Sequence, residues 1–209
     1  MKIDIKISTK PVKYIQAIKM LEKRLISVKE NKSHELIWIL EHPSIFTAGK
    51  RYNEKEVLDK KIKLIKTSRG GKITWHGPGQ LIFYFVIDLN KRNKDIRKFV
   101  KLIEDTIIQT LKEYKINSFS DRKNIGVWTY DDKRIKKIGA IGIKIKKWIA
   151  YHGFSLNINN NLKEYKKIIP CGIKDMGITN LKLLKKQNYK GLKKKIVLNF
   201  IKNLKKQVF

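Results

Sequence analysis

The stretch from residue 69 to residue 88, RGGKITWHGPGQLIFYFVID, joins two unlike halves. Its second half, Leu81 to Asp88, runs Leu-Ile-Phe-Tyr-Phe-Val-Ile before the aspartate, residue types that suit a pleated, buried strand. Its first half, Arg69 to Gln80, holds four of the chain's twelve glycines, one of its four prolines and one of its four histidines. Glycine-rich backbone leading into a buried strand reads as a loop presented by a rigid sheet, and loops held this way often carry function. Glycine lets the backbone approach a ligand closely. Exposed N–H groups there can hold an oxyanion or a carbonyl, and His76 adds a donor or a base. A long hairpin loop built of turn residues fits the same composition. A phosphate-binding P-loop does not, since the required Gly-Lys-Ser/Thr ending is missing.

Working outward, Lys2 to Ile7 alternates like a strand, and Thr9 with Pro11 marks a helix start. That helix is expected to reach Lys29, with Val12, Ile15, Ile18, Leu21 and Leu25 on its inner face. Glu35 to Leu40 and Ile62 to Lys66 read as strands, and Asp95 to Tyr114 as a helix. Asn124 to Tyr130 and Arg134 to Ile145 flank Asp131-Asp132-Lys133, a hairpin signal. Trp148 to Ile158 is a further strand, followed by short helices near Leu162 to Ile168 and Gly191 to Lys205. The expectation is an α/β chain of the α+β type, a mixed and largely antiparallel sheet with helices packed on it, forming one domain over residues 1–209.

The formal charge of +31 comes from 49 basic and 18 acidic residues, and lysine dominates the basic set. Such a field draws acidic partners and speeds their encounter. Residues 176–209 carry ten lysines and no acid, which suits a docking face or a solvated helix face. The N-terminus MKIDIKIST has charges where a signal peptide needs an apolar run, and the longest apolar stretch is far too short to span a membrane. One cysteine cannot form an internal disulfide. A cytoplasmic protein is the expectation.

Two residues stand out for chemistry. Cys171 is the only thiol, set in Pro170-Cys171-Gly172 after a helix. A lone cysteine is more often a small buried hydrophobe than a nucleophile, so position alone leaves both readings open. In the strand from Arg134, strict alternation puts Ile135, Lys137, Gly139, Ile141, Ile143 and Ile145 on one face, with Lys137 its only charge. A lysine turned into an apolar site loses solvation of its ammonium. A bulge near the two glycines would instead re-register the strand and free Lys137.

Five blocks together resemble the octanoyl-[acyl-carrier-protein]:protein N-octanoyltransferases, or lipoyl(octanoyl) transferases. They are Leu40-Glu41-His42-Pro43 with Thr47-Ala48-Gly49-Lys50-Arg51, the segment Arg69–Gln80, the segment Lys137–Lys144, Tyr151-His152-Gly153-Phe154-Ser155-Leu156-Asn157, and Pro170-Cys171-Gly172-Ile173. Trp75 stands where that family usually has tyrosine or phenylalanine, and Gly139 where alanine is common. The resemblance implies a fold like the catalytic domain of biotin and lipoate ligases. It implies transfer of an octanoyl group from octanoyl-acyl carrier protein to a lysine of a lipoyl domain, on 2-oxoacid dehydrogenase E2 subunits and glycine cleavage H protein. No ATP or other cofactor, no metal, no membrane and no nucleic acid would take part. Cys171 would carry a thioester and Lys137 would favour its thiolate. The acyl group would lie against Arg69, Gly70, Gly71, Lys72, Ile73, Thr74, Trp75, His76, Ala140, Ile141, Gly142, Gly153, Phe154 and Ser155.

Three other readings make different demands. An ATP-dependent lipoate or biotin ligase on the same fold needs an adenylate site and has no use for a cysteine nucleophile. A thiol hydrolase would use His76 or His152 as base. A basic nucleic-acid-binding protein is suggested by charge alone, with no recognised motif and no aromatics among the basic runs.

Overall fold

A computed structural model describes residues 2–170 and 177–206. The elements run β1 (Ile3–Ile7), α1 (Tyr14–Lys29), β2 (Glu35–Leu40), β3 (Ile45–Ala48), β4 (Leu64–Lys66), β5 (Ile73–His76), β6 (Gln80–Asp88), α2 (Ile96–Glu113), β7 (Phe119–Ser120), β8 (Val127–Asp131), β9 (Arg134–Lys146), β10 (Ile149–Asn157), β11 (Gly177–Ile178), α3 (Leu181–Leu184) and α4 (Leu192–Lys205). The large sheet has the order β1-β2-β6-β10-β9-β8-β7, and β11 pairs with the start of β9. Only β1–β2 and β9–β11 are parallel within it. The chain is therefore a mixed α/β fold with a mostly antiparallel sheet, as expected.

β2 and β6 are buried along their whole length, which is why both read as unbroken apolar runs. Ile37, Ile39, Phe83 and Phe85 face a core shared with α2 and α4, while Leu36, Trp38, Tyr84 and Val86 face a second core under α1. The two hairpins flanking β9 close through Asp132-Lys133 and Lys147-Trp148. Both residues of each pair have positive φ, as two-residue turns between twisted strands require.

The helix expected from Thr9 begins at Tyr14 instead. Residues 8–12 are tied to the end of β2, with Ser8 N–H donating to Ile39 O and Val12 N–H to Glu41 O, so they cannot enter the helix. The later start turns the inner face to Tyr14, Ala17, Leu21, Leu25 and Val28, and leaves Ile15 exposed. A second correction concerns the glycine-rich segment, which is not all loop. Ile73–His76 is a strand in a separate three-stranded sheet of order β4-β3-β5, whose far side packs Phe46, Ile73, Trp75, Tyr165 and Ile168. No helix among the described residues is long and apolar enough to cross a membrane.

Candidate functional site

A slot lies between the small sheet and the α1-facing side of the large one. Its floor is two rows of cross-strand partners, Ile82–Ser155–Ala140 and Tyr84–Gly153–Gly142. Four of those six residues are glycine, alanine or serine, and their missing bulk is what leaves a hollow. Arg69, Gly71, Lys72, Thr74 and His76 form the roof. The volume is about 60 Å³, room for roughly four to six water-sized spheres.

The glycines of the roof answer a packing demand. Gly49 N–H donates to Lys72 O, and Arg51 N–H to Gly71 O, so two loops are laced face to face. A Cβ on Gly49 would overlap the Gly71 carbonyl, and Gly71 itself sits at φ +86°. Gly70 N–H reaches Ile143 O of β9 at 3.1 Å, and Gly79 N–H reaches the Glu41 carboxylate at 2.8 Å. Those two N–H groups are occupied by the fold and are not free to hold an oxyanion. Arg69 is locked by Thr47, its Nη2 donating to the carbonyl at 2.8 Å and to Oγ1 at 2.9 Å.

Around Arg69 stand Tyr14, His42, His76, Tyr84 and His152, all buried. His42 Nδ1 faces Val12 O at 2.6 Å, so it carries the proton, and Nε2 accepts from Tyr84 Oη at 2.9 Å. His76 Nδ1 donates to Gln80 Oε1 at 2.7 Å, while Gln80 Nε2 donates to Asn157 Oδ1 and Tyr165 Oη. Burial lowers His42 to about 4. Burial, with the nearby His42 and Arg69, lowers His76 to about 3. Burial, with Arg69 and Lys144, lowers His152 to about 3. Burial raises Tyr14 and pushes Tyr84 well above its ordinary value. The rings are thus neutral near pH 7, and His76 and His152 are poor bases for a hydrolase.

Lys137 is buried, with its Nζ 4.7 Å from the centre of the Trp128 ring. The strand reaches this arrangement by a bulge. Val127 faces Gly139 and Trp128 faces Lys137, so Ile138 is the extra residue. Val127 and Ile138 belong to the core under α2, which puts Lys137 with Trp128 on the other side of the sheet, the side taken after the bulge by Ala140 and Gly142. The simple alternation expected for β9 is therefore wrong at Lys137. The bulge does re-register the strand, yet it buries Lys137 on the slot side rather than freeing it. Gly126 backs its stem, since a Cβ there would come within 2.5 Å of Lys137 Cε. Neighbouring Lys136 instead bonds Asp131 at 2.9 Å.

Of the expected ligand residues, Arg69, Gly71, Lys72, Thr74, His76, Ala140, Ile141, Gly142, Gly153, Phe154 and Ser155 line the slot. Gly70 supports it from the backbone, while Ile73 and Trp75 point away into the small core, where the indole N–H bonds Ser44. Cys171 lies outside the described residues. Tyr14, His42 and Tyr84 were not expected at the site. His42 stood in a quoted block beside Pro43, whereas Tyr14 gave no signal once the helix start was misplaced.

The overall fold is similar to that of a bipartite lipoate protein ligase from the lipoylation system of Thermoplasma acidophilum, at a TM-score of 0.75 and 13% identity, covering 98% of this chain and 84% of that one. That likeness shows the class of fold, that of lipoate protein ligases. Residues 13–201 match the lipoyl protein ligase A/B catalytic domain family. An octanoyltransferase of Anaplasma phagocytophilum is 40% identical over 189 residues, covering 90% of this chain and 91% of its own. One of Ehrlichia ruminantium strain Gardel is 43% identical over 181 residues, covering 86% and 87%. The chain belongs to this family and, within it, groups with the octanoyltransferases as an acyltransferase.

Proposed function

We propose that the chain moves an octanoyl group from octanoyl-acyl carrier protein to a lysine of a lipoyl domain, through a thioester on Cys171. The observation that carries this is a narrow slot with a floor of small residues and neutral rings at one end, under a roof that includes Arg69 and Lys72, lying on the same side of β9 as a buried lysine. An extended alkyl chain fits that slot better than a nucleotide does. The Thermoplasma ligase of similar fold has an E2 lipoyl domain as its own, which supports a lipoyl domain as acceptor here. The described chain resumes at Gly177, paired with Lys136, and Thr179 N–H donates to Lys137 O at 3.0 Å, so it resumes beside Lys137.

In the first half-reaction the Cys171 thiolate attacks the donor thioester carbonyl. A carbon–sulfur bond to the enzyme forms, the donor's carbon–sulfur bond breaks, and the carrier's sulfur leaves as a thiol by taking the proton of the Lys137 ammonium, which becomes neutral. In the second the acceptor lysine amine attacks, the amide forms, and the cysteine sulfur is released. Two such steps are easier than direct transfer from thiol to amine. The Lys137 ammonium favours the thiolate in the first step. In the second, the proton shed by the amine leaves through Lys137.

The test is transfer to a purified lipoyl domain, read by intact mass, from octanoyl-acyl carrier protein without ATP. One octanoyl group per domain is expected. Transfer that needs ATP and free octanoate would replace this reading with that of a ligase.

A further inference from the structure

His152 is out of place for a strand residue. Its cross-strand partners are Ile143 and Phe85, which belong to the core under α2 and α4, so alternation should bury it there. It has φ +69° instead, and its ring lies 4.8 Å from the Tyr151 ring and 6.3 Å from the Tyr84 ring on the opposite side of the sheet. A β-region residue other than glycine rarely takes that φ. The turned-over ring is 2% exposed, and among the described residues no hydrogen-bond partner reaches its Nε2. Backbone strain and an unmet polar atom thus coincide at one residue, a pairing that marks functional positions.

What the ring does there follows from what it separates. With Tyr14, His152 lines the slot on one side and, on the other, a second, solvent-open cleft of about 260 Å³ whose walls mix Ile15, Ile18 and Ile65 with Lys19, Glu22 and Lys66. The slot runs along β10 from Ser155, opposite Ala140 and toward the Lys137 end, to His152. Three strand residues cover about 10 Å. An extended eight-carbon acyl chain of bonds near 1.5 Å spans about 9 Å.

We propose that His152, with Tyr14, is the end wall that sets the length of the acyl chain, and that the cleft behind it is the space a longer chain would enter. This rests on the acyl-transfer reading above. The flipped backbone places a bulky ring across the slot where alternation would have left it open. Neutral imidazole can stand against the alkyl end without carrying a charge into it.

The experiment compares octanoyl-, decanoyl- and dodecanoyl-acyl carrier protein as donors, reading kcat/KM for transfer to a lipoyl domain. His152→Gly removes the wall and accepts positive φ without strain. The dodecanoyl-to-octanoyl ratio should rise about tenfold or more, since four further methylenes become buried. His152→Asn, shorter but tolerant of positive φ, should shift the ratio less, and it decides the question if His152→Gly does not fold. Adding Ile18→Phe to His152→Gly fills the cleft and should restore the preference for octanoyl. An unchanged ratio in folded His152→Gly or His152→Asn, with octanoyl transfer intact in the unaltered enzyme, overturns the wall and leaves the function standing. Persistent dodecanoyl transfer in the double variant also overturns it. No transfer of any chain by the unaltered enzyme removes the function and this proposal together.

Discussion

The Lys137 ammonium rests on the face of Trp128, 4.7 Å from the ring centre, with Gly126 closing the other side of its stem. A cation held over indole is stabilised by about 0.5–2 kcal/mol, or roughly 2- to 30-fold in a rate that depends on its placement. Trp128→Leu should therefore lower kcat by that range with KM nearly unchanged, measured below the variant's melting temperature. Trp128→Phe keeps a ring face and should recover most of the loss. Equal rates in the two variants would show that the ring face does not position Lys137.

Lys137→Arg separates the two roles proposed for Lys137. Arginine keeps the charge but does not give up its proton, so iodoacetamide labelling of the enzyme's thiol near pH 7 should be retained while transfer to a lipoyl domain falls by about 10²–10⁴-fold. Lys136→Met is the control, because its ammonium is engaged by Asp131. It should stay within about threefold of the unaltered enzyme. Normal transfer by Lys137→Arg would remove the proton-carrying role.

The three buried histidines make stability depend on pH. They remain neutral in the folded state down to about 4 for His42 and about 3 for His76 and His152, whereas free histidine protonates near 6.5. Folding lowers these values, so below pH 6.5 the unfolded chain holds the extra protons. Their stabilisation is complete above about pH 7 and is lost as pH falls toward 4, at roughly 1.4 kcal/mol per pH unit for each group. Chemical denaturation near pH 5.5 should show two to three protons taken up on unfolding. A stability that stays flat between pH 7 and 5 would contradict the neutral assignment.

Away from the slot, Arg92 grips Glu35 with Nη1 at 2.5 Å and Nη2 at 2.7 Å, both side chains buried. Arg92→Met leaves a buried carboxylate without its cation, at a cost of about 3–5 kcal/mol. Thermal melting should show the loss, and transfer by the folded fraction should be normal. A melting temperature like that of the unaltered chain would mean that Glu35 finds water.

What could be seen in the sequence was whatever a single periodicity carries. β2 and β6 announced themselves because both their faces are buried, and the β8–β9 hairpin because Asp131-Asp132-Lys133 sits between two strand-like runs. The small sheet was missed, since β5 is four residues inside a glycine-rich stretch and its partners lie far away in sequence. Lys137 and His152 were misjudged or passed over for a shared reason. A bulge at Ile138 and a positive φ at His152 each reverse the face that alternation assigns. The residues of the glycine-rich block that line the slot were among those singled out from the sequence, while its outward-packed Ile73 and Trp75 are separated from them only by the alternation of β5.

The central claim is a covalent acyl intermediate on Cys171, and it is tested most directly by intact mass after mixing the protein with octanoyl-acyl carrier protein in the absence of any lipoyl domain. One added octanoyl group, released by hydroxylamine, is expected, and none on Cys171→Ala. An octanoyl adduct that persists on Cys171→Ala, or undiminished transfer to a lipoyl domain by that variant, would contradict it.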